Sequence, residues 1–320
     1  MSLALSRRRL AALSAGLALP RLAAADPWPG RPIRLVVPVA PGGSQDVVAR
    51  LSARGLSARL PQPVQVENIS GGGSAIGYAL AARAAPDGHV MLAGADTLSI
   101  IGAVLPQLSF DPLAFTAVHR SVRVPQILVV RADHPAQDFA QWVRLARQQP
   151  PAVGTPGHAS LAHLLVEQLA SATGATWTHV PYRGGALAVA DLMGGQLQGV
   201  MINIGAVAGY VREGRLRGLL VSPARRSRAL PEVPTLGELG LADLAVTGWH
   251  GLLLPPGADP ALALRLNRLN RHVLAEPAVA ERLAAIGVEP TDEGPEELAA
   301  ALRADAARFA EVVRRHGILA

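Results

Sequence analysis

The run Ile33-Arg34-Leu35-Val36-Val37 is apolar at every position but one and stops at Pro38; Ala40-Pro41-Gly42-Gly43 then turns the chain, and Ser44-Gln45-Asp46 opens an amphipathic segment. This order limits the fold more than any other feature of the chain. It reads as a buried strand, a tight glycine turn, and a helix with Ser44 near its N-cap and Asp46 in its first turn. The first N–H groups of such a helix have no intrahelical acceptor and lie at the positive end of its dipole. A carboxylate or phosphate can sit there without a lysine or arginine beside it. The same turn also serves as a plain strand-to-helix connection, so the rest of the chain has to decide.

The alternation continues downstream. Val64–Glu67 leads through Gly71-Gly72-Gly73-Ser74 into a helix over 75–84, and Val90–Gly94 and Ile127–Val130 read as strands. Helices are expected near Ser44–Leu60, Phe139–Gln148 and Leu161–Ala172, with Trp177–Val180 extended and the stretch from Pro260 to His316 mainly helical. Strands alternating with helices imply an α/β fold with parallel sheets covered on both faces. In such sheets ligands sit at the carboxyl ends of strands. Five small-residue loops fall at that kind of position: Gly42–Ser44, Gly71–Ser74, Gly94–Ser99, Thr155–Ser160 and Tyr182–Gly185.

Composition adds limits. Half of the 320 residues are apolar and 17% are charged, which excludes a disordered chain. Ser6-Arg7-Arg8-Arg9-Leu10, the apolar run from Ala11 to Pro20, and Ala23-Ala24-Ala25 read as a bacterial export signal cleaved near Ala25. The arginines also resemble a twin-arginine signal. The location implied is the periplasm. No cysteine stands after the apolar run to carry a lipid, and none elsewhere forms a disulfide. From residue 26 onward, 26 arginines face 24 acidic residues and there is no lysine. So small a net charge, with few aromatics, gives no nucleic-acid footprint.

Several chemistries can be tested against spacing. Gly157-His158-Ala159-Ser160-Leu161 lacks the closing glycine of a nucleophile elbow, and Ser160 falls in a helix first turn. It reads as a helix cap able to donate its hydroxyl to an anion, and no catalytic residue is assigned. Gly71–Ser74 lacks the lysine of a phosphate-binding loop, so no nucleotide cofactor is expected. His158 and His163, five apart, would splay on a helix, so no metal site is expected. His163 reads as a packing histidine, and His158, in the loop, as better placed to touch a ligand. Asp96 would repel an acid, so it either caps the next helix or pairs with a ligand amine or hydroxyl.

Taken together, Arg31-Pro32-Ile33-Arg34-Leu35-Val36-Val37-Pro38, Ala40–Asp46, Ala85-Pro86-Asp87-Gly88, His179-Val180-Pro181-Tyr182-Arg183-Gly184, Asp191–Gln196, Arg226–Thr235 and Trp249-His250-Gly251-Leu252 occur in one collinear order. The pattern resembles the Bug-type periplasmic solute receptors of tripartite tricarboxylate transporters. That resemblance implies a type II periplasmic-binding-protein fold, two α/β domains with a ligand cleft between them. One domain would comprise 26–124 with 249–320 and the other 125–248, with crossovers near Arg123–Ile127 and Thr247–Leu252.

It further implies a monomer that closes on a small carboxylate and delivers it to membrane subunits of the transporter, without enzymatic activity. Presentation of the ligand to a sensor kinase is the alternative partner, and an exported hydrolase using Ser160 the alternative class. Carried over by position, the binding residues are Ala40, Pro41, Gly42, Gly43, Ser44 and Asp46; Asp96 and Thr97; Thr155, Gly157, His158, Ala159 and Ser160; Tyr182; and Asn203. Three departures bear on the ligand. Ala159 stands where the family usually has glycine, Ile202-Asn203 replaces Asp-Asn, and Ile101-Gly102 replaces Asn-Pro.

Overall fold

The computed structural model describes residues 28–105 and 107–318; the export segment read from the sequence lies outside them. The chain first alternates as expected: β1 (Ile33–Val37), α1 (Ser44–Ser57), β2 (Val64–Asn68), α2 (Ala75–Ala82), β3 (Val90–Ala95), α3 (Thr97–Val104) and β4 (Thr116–Val124). A second series follows after Pro125: β5 (Gln126–Arg131), α4 (Phe139–Gln148), β6 (Ala152–Thr155), α5 (Leu161–Thr173), β7 (Thr178–Pro181), α6 (Gly185–Met193), β8 (Gly199–Asn203), α7 (Ala208–Arg212) and β9 (Leu216–Val221). The chain then returns through β10 (Gly248–Leu254), α8 (Pro260–Leu274), α9 (Pro277–Ala285), β11 (Glu289–Pro290) and α10 (Pro295–His316).

These strands form two sheets. The first has the order β11-β4-β10-β3-β1-β2 and the second β7-β6-β8-β5-β9. Neither is purely parallel, which corrects the expectation drawn from the alternation. β10 runs antiparallel between β3 and β4, and β5 runs antiparallel between β8 and β9. The reason is the double crossover. The first strand after each crossover, β5 on the way out and β10 on the way back, enters its sheet against the direction of the βαβ strands.

Each sheet is covered on both sides because side chains alternate across a strand. In β1, Ile33, Leu35 and Val37 pack with Ala49, Ala53 and Leu56 of α1 and with Leu266 of α8. Val36 points the other way, to Tyr78, Leu98, Leu298 and Leu302 of α2, α3 and α10. β5 repeats the arrangement, with Leu128 and Val130 in one core and Ile127 and Val129 in the opposite one. Burying a Leu or Val side chain contributes about 1.5–3 kcal/mol, which fixes the strand register on both faces.

The last helix belongs to both units. Leu298 and Leu302, near its start, lie in the core of the first sheet. Phe309, Val312 and Val313, near its end, lie in a core shared with Leu128, Trp142, Leu165 and Leu220 around the second sheet. Arg308, between them, donates to the carbonyls of Ala245 and Asp243. α10 is therefore a strut across the two units, a role that helical periodicity alone could not reveal.

Strand directions place the loops. β1, β2 and β3 end at the starts of α1, α2 and α3, on the edge where β4 ends and β10 begins. β6, β7 and β8 end on the edge where β5 begins, because β5 is antiparallel to β8 with Gln126 opposite Asn203. Only Pro125 separates β4 from β5. The two rims of helix N-termini accordingly meet at the crossover.

Candidate functional site

On the first rim, Gly43 is the N-cap of α1 and no side chain caps that helix. Ser44, expected near the N-cap, is its first helical residue, and its Oγ lies 2.9 Å from Nε2 of His250 in β10. Burial pushes the His250 imidazole down to about 4, so it meets Ser44 as a neutral ring. Ala40, Pro41, Gly42 and Gly43 are exposed and present backbone rather than side chains. The first N–H groups of α1 have no intrahelical acceptor.

Asp46 does not face outward. Its carboxylate accepts from Gly42 N–H at 3.0 Å, Arg50 Nε at 2.9 Å and Asn68 Nδ2 at 2.8 Å, and the residue is 3% exposed. Asn68 Nδ2 also donates to Val39 O at 3.0 Å. Burial alone would raise this carboxyl's pKa, but the bonds from Arg50, Gly42 and Asn68 hold it below the usual carboxylate range. Asp46, expected among the ligand contacts, thus braces the glycine loop from behind.

Asp96 occupies the N-cap position of α3 without a side-chain capping bond. Desolvation, with Asp305 of α10 as a second cause, pushes its carboxyl up to about 7; the backbone N–H groups of Trp249 and Thr97, and Arg120, pull the other way. Thr97 Oγ1 is 2.7 Å from the hydroxyl of buried Tyr78. A Cβ on Gly248 would come within 2.3 Å of Asp96 Oδ2 and 3.2 Å of Leu161 Cδ2. The start of β10 therefore threads between the first turn of α3 on one rim and that of α5 on the other.

The second rim is built from hydroxyls and imidazoles. Ser160 is the N-cap of α5; its Oγ accepts from His163 N–H at 3.3 Å and donates to Gly157 O at 2.7 Å. The expected cap is present, while the hydroxyl hydrogen stays within the loop. Ala159 sits at φ 55, a left-handed conformation in which its methyl is strained. Its N–H donates to His163 Nδ1 at 3.1 Å. Thr155, fully buried, donates to Gly157 O at 3.1 Å and lies 2.7 Å from His179 Nε2. Gly157 and Ala159 are half-buried and His158 is exposed.

Tyr182 donates its hydroxyl to Asp191 at 2.7 Å, and that bond pushes the phenol up to about 12. Asn203 ends β8 and its Oδ1 accepts from Ala206 N–H at 3.2 Å, capping a short 3-10 turn. Gly205 in that turn packs against the backbone of Ile286 and Gly287, just before β11. A Cβ there would fall 1.7 Å from Ile286 O, so the two units touch main chain to main chain at this point.

The histidines overturn the expectation that they splay. The ring centroids of His158 and His163 are 4.9 Å apart, and His163 stacks on His179 at 3.6 Å with an interplanar angle of 10°. The helical-wheel argument fails because His158 is not on the helix: it precedes the left-handed Ala159, which folds the loop back over α5. His179 arrives from β7, paired in register opposite Val153 of β6. Neither His179 nor His250 was selected from the sequence. His250 and Ser44 are 206 positions apart, and no local pattern marks such a pair.

Residues 48–318 match the family model described as the tripartite tricarboxylate transporter family receptor. Protein BugT of Bordetella pertussis is 35% identical over 309 residues, covering 95% of this chain and 94% of that protein. Among solved structures, Rpa4515 of R. palustris with adipate has a TM-score of 0.83 and 30% identity, covering 91% of this chain and 99% of that one. MatC from Rhodopseudomonas palustris with bound malate has a TM-score of 0.80 and 29% identity, covering 89% and 99%.

Proposed function

This chain belongs to the tripartite tricarboxylate transporter receptor family, and from that premise we propose that it captures a small carboxylate between its two rims and hands it to the membrane subunits of a transporter. Its fold is the type II periplasmic-binding-protein arrangement, two α/β units with a cleft between them. The family consists of periplasmic receptors, and the chain is not an enzyme.

The observation that carries the reading is the pair of opposed rims. α1 and α3 begin on one, and α5 and α6 on the other. Helix N-termini attract anions by their unpaired N–H groups and by their dipoles. The exposed Ala40–Gly43 backbone supplies one half of the site, and the Gly157–Ser160 and Tyr182–Gly184 loops the other. Arg183, exposed in the latter loop, adds a cation. The dicarboxylates malate and adipate bound by two relatives support this ligand class.

The units divide at 124/125 and 248/249, close to where the chain passes between the sheets, with α10 spanning both. Closure bends the chain around Pro125 and between β9 and β10. It is driven by the ligand's higher affinity for the closed state, and no covalent step is involved.

Thermal unfolding of the chain from residue 26, against mono-, di- and tricarboxylates and amino acids, tests the reading. An acid at a hundred times its dissociation constant adds about 2.7 kcal/mol, a shift of roughly 5 °C for a chain of this size. Gly43→Trp or Ser160→Trp removes the shift while leaving unfolding cooperative. An unchanged response in both variants, or no response to any acid, overturns it.

A further inference from the structure

We propose that His158, His163 and His179 form a binding site for a divalent first-row transition metal such as Zn²⁺ or Ni²⁺. One ring nitrogen from each lies within 4.8 Å of the other two. They come from three separate places, the loop after β6, the first turn of α5 and β7, so only the tertiary fold gathers them. Imidazole is the nitrogen donor these ions favour.

A metal-binding histidine holds its second nitrogen on a carboxylate, backbone carbonyl or water, and the outer partners here are a carboxylate and a hydroxyl. His163 Nε2 lies 3.5 Å from Glu167 Oε1, one turn along α5, and His179 Nε2 lies 2.7 Å from Thr155 Oγ1. That leaves Nδ1 of each ring to face the metal. His163 Nδ1 accepts the Ala159 N–H, a bond carried by the loop that also carries His158. His163 is buried and His179 half-buried, while His158 is exposed. Two ligand positions thus lie on buried or half-buried rings and the third in an exposed loop.

Coordination at about 2.0–2.1 Å brings ligand nitrogens to within roughly 3–3.5 Å of one another. The His158 loop therefore moves inward by an ångström or so. One of the stacked rings also tilts, because a ring's lone pair lies in its own plane. Glu167 then remains an outer partner or becomes the fourth ligand.

The site is independent of the carboxylate reading, since the metal is measured without any organic acid. Untagged chain from residue 26, stripped with chelator, is titrated with Zn²⁺ and Ni²⁺ by calorimetry, and with Co²⁺ by visible absorption. The expected result is one equivalent bound at micromolar affinity or tighter, with a Co²⁺ ligand-field band. His158→Gln, at the exposed position, weakens it at least tenfold with folding intact. His179→Gln does the same, and Glu167→Gln weakens it about 10-fold. Absence of binding at 100-fold molar excess of metal, or affinity unmoved by His158→Gln and His179→Gln, overturns the proposal.

Discussion

The two rims hold their loops by opposite chemistry. The first uses a charge: Asp46, buried and ionised, gathers donors from Gly42, Arg50 and Asn68 and leaves the glycine backbone outside. The second uses hydroxyls and an imidazole: Ser160, Thr155 and His163 close the 155–160 loop among themselves, at the cost of a left-handed alanine. A charged brace is strong but depends on its ionisation. A bond between uncharged hydroxyl and carbonyl groups is weaker than one to an ionised group. The contrast explains how one rim can present bare backbone while the other presents side chains.

The sharpest way to break the comparison is Asp46→Asn. It removes a buried carboxylate whose bonds to charged or polar donors each contribute about 1.5–3 kcal/mol, and it places an amide NH₂ against donors. Chemical denaturation at pH 7 should show a loss of about 2–4 kcal/mol. Because the folded-state pKa is depressed, this contribution is full above the unfolded value near 4 and is lost as pH falls through the folded one. The variant and the parent should converge at low pH.

Asp96 is the counter-case on the same rim. Its folded-state pKa is raised to about 7, so stability from this group is full below about 4 and is lost as pH rises toward 7. Asp96→Asn keeps an acceptor for the Trp249 and Thr97 N–H groups and abolishes the titration. The variant should match the parent near pH 4 and exceed it at pH 8 by about 1–4 kcal/mol, the upper figure corresponding to the whole rise from the ordinary carboxylate value to about 7. A parallel pH profile for both proteins would remove Asp96 from this account.

On the second rim the effects are smaller. Ser160→Ala deletes the α5 cap and should lower the unfolding free energy by about 1 kcal/mol, with little pH dependence between 5 and 8. Ala159→Gly relieves the left-handed strain at φ 55. Set against the greater unfolded-state freedom of glycine, the gain should be about 0.5–1 kcal/mol. A loss of stability in that variant would mean that the Ala159 methyl packs usefully against the neighbouring core.

The elements of the first half were legible because their signals are local. Phe139–Gln148 was read to its ends, and α1, α2, β3 and α5 to within a few residues. β10 was harder, since Trp249-His250-Gly251 looks neither alternating nor helical, yet it is the strand that joins β3 to β4. The rim loops were found from glycine and proline, but the direction in which Asp46 points was not. A carboxylate in the first turn reads the same whether it faces a ligand or, as here, Asn68 at the end of a neighbouring strand.

Local sequence was enough to give the alternation of strands and helices, the glycine and serine loops at strand ends, and the family. The elements and loops rest on periodicity and turn chemistry within a few dozen residues, and the family on short motifs in one collinear order from Arg31 to Leu252. The tertiary structure alone decided that the sheets are mixed, that α10 joins two cores, that Asp46 braces and Ser44 meets His250, and that three histidines converge. Those outcomes depend on pairing between residues far apart in the chain. Packing selects such pairs only after every strand has found its neighbours, and no local pattern encodes them.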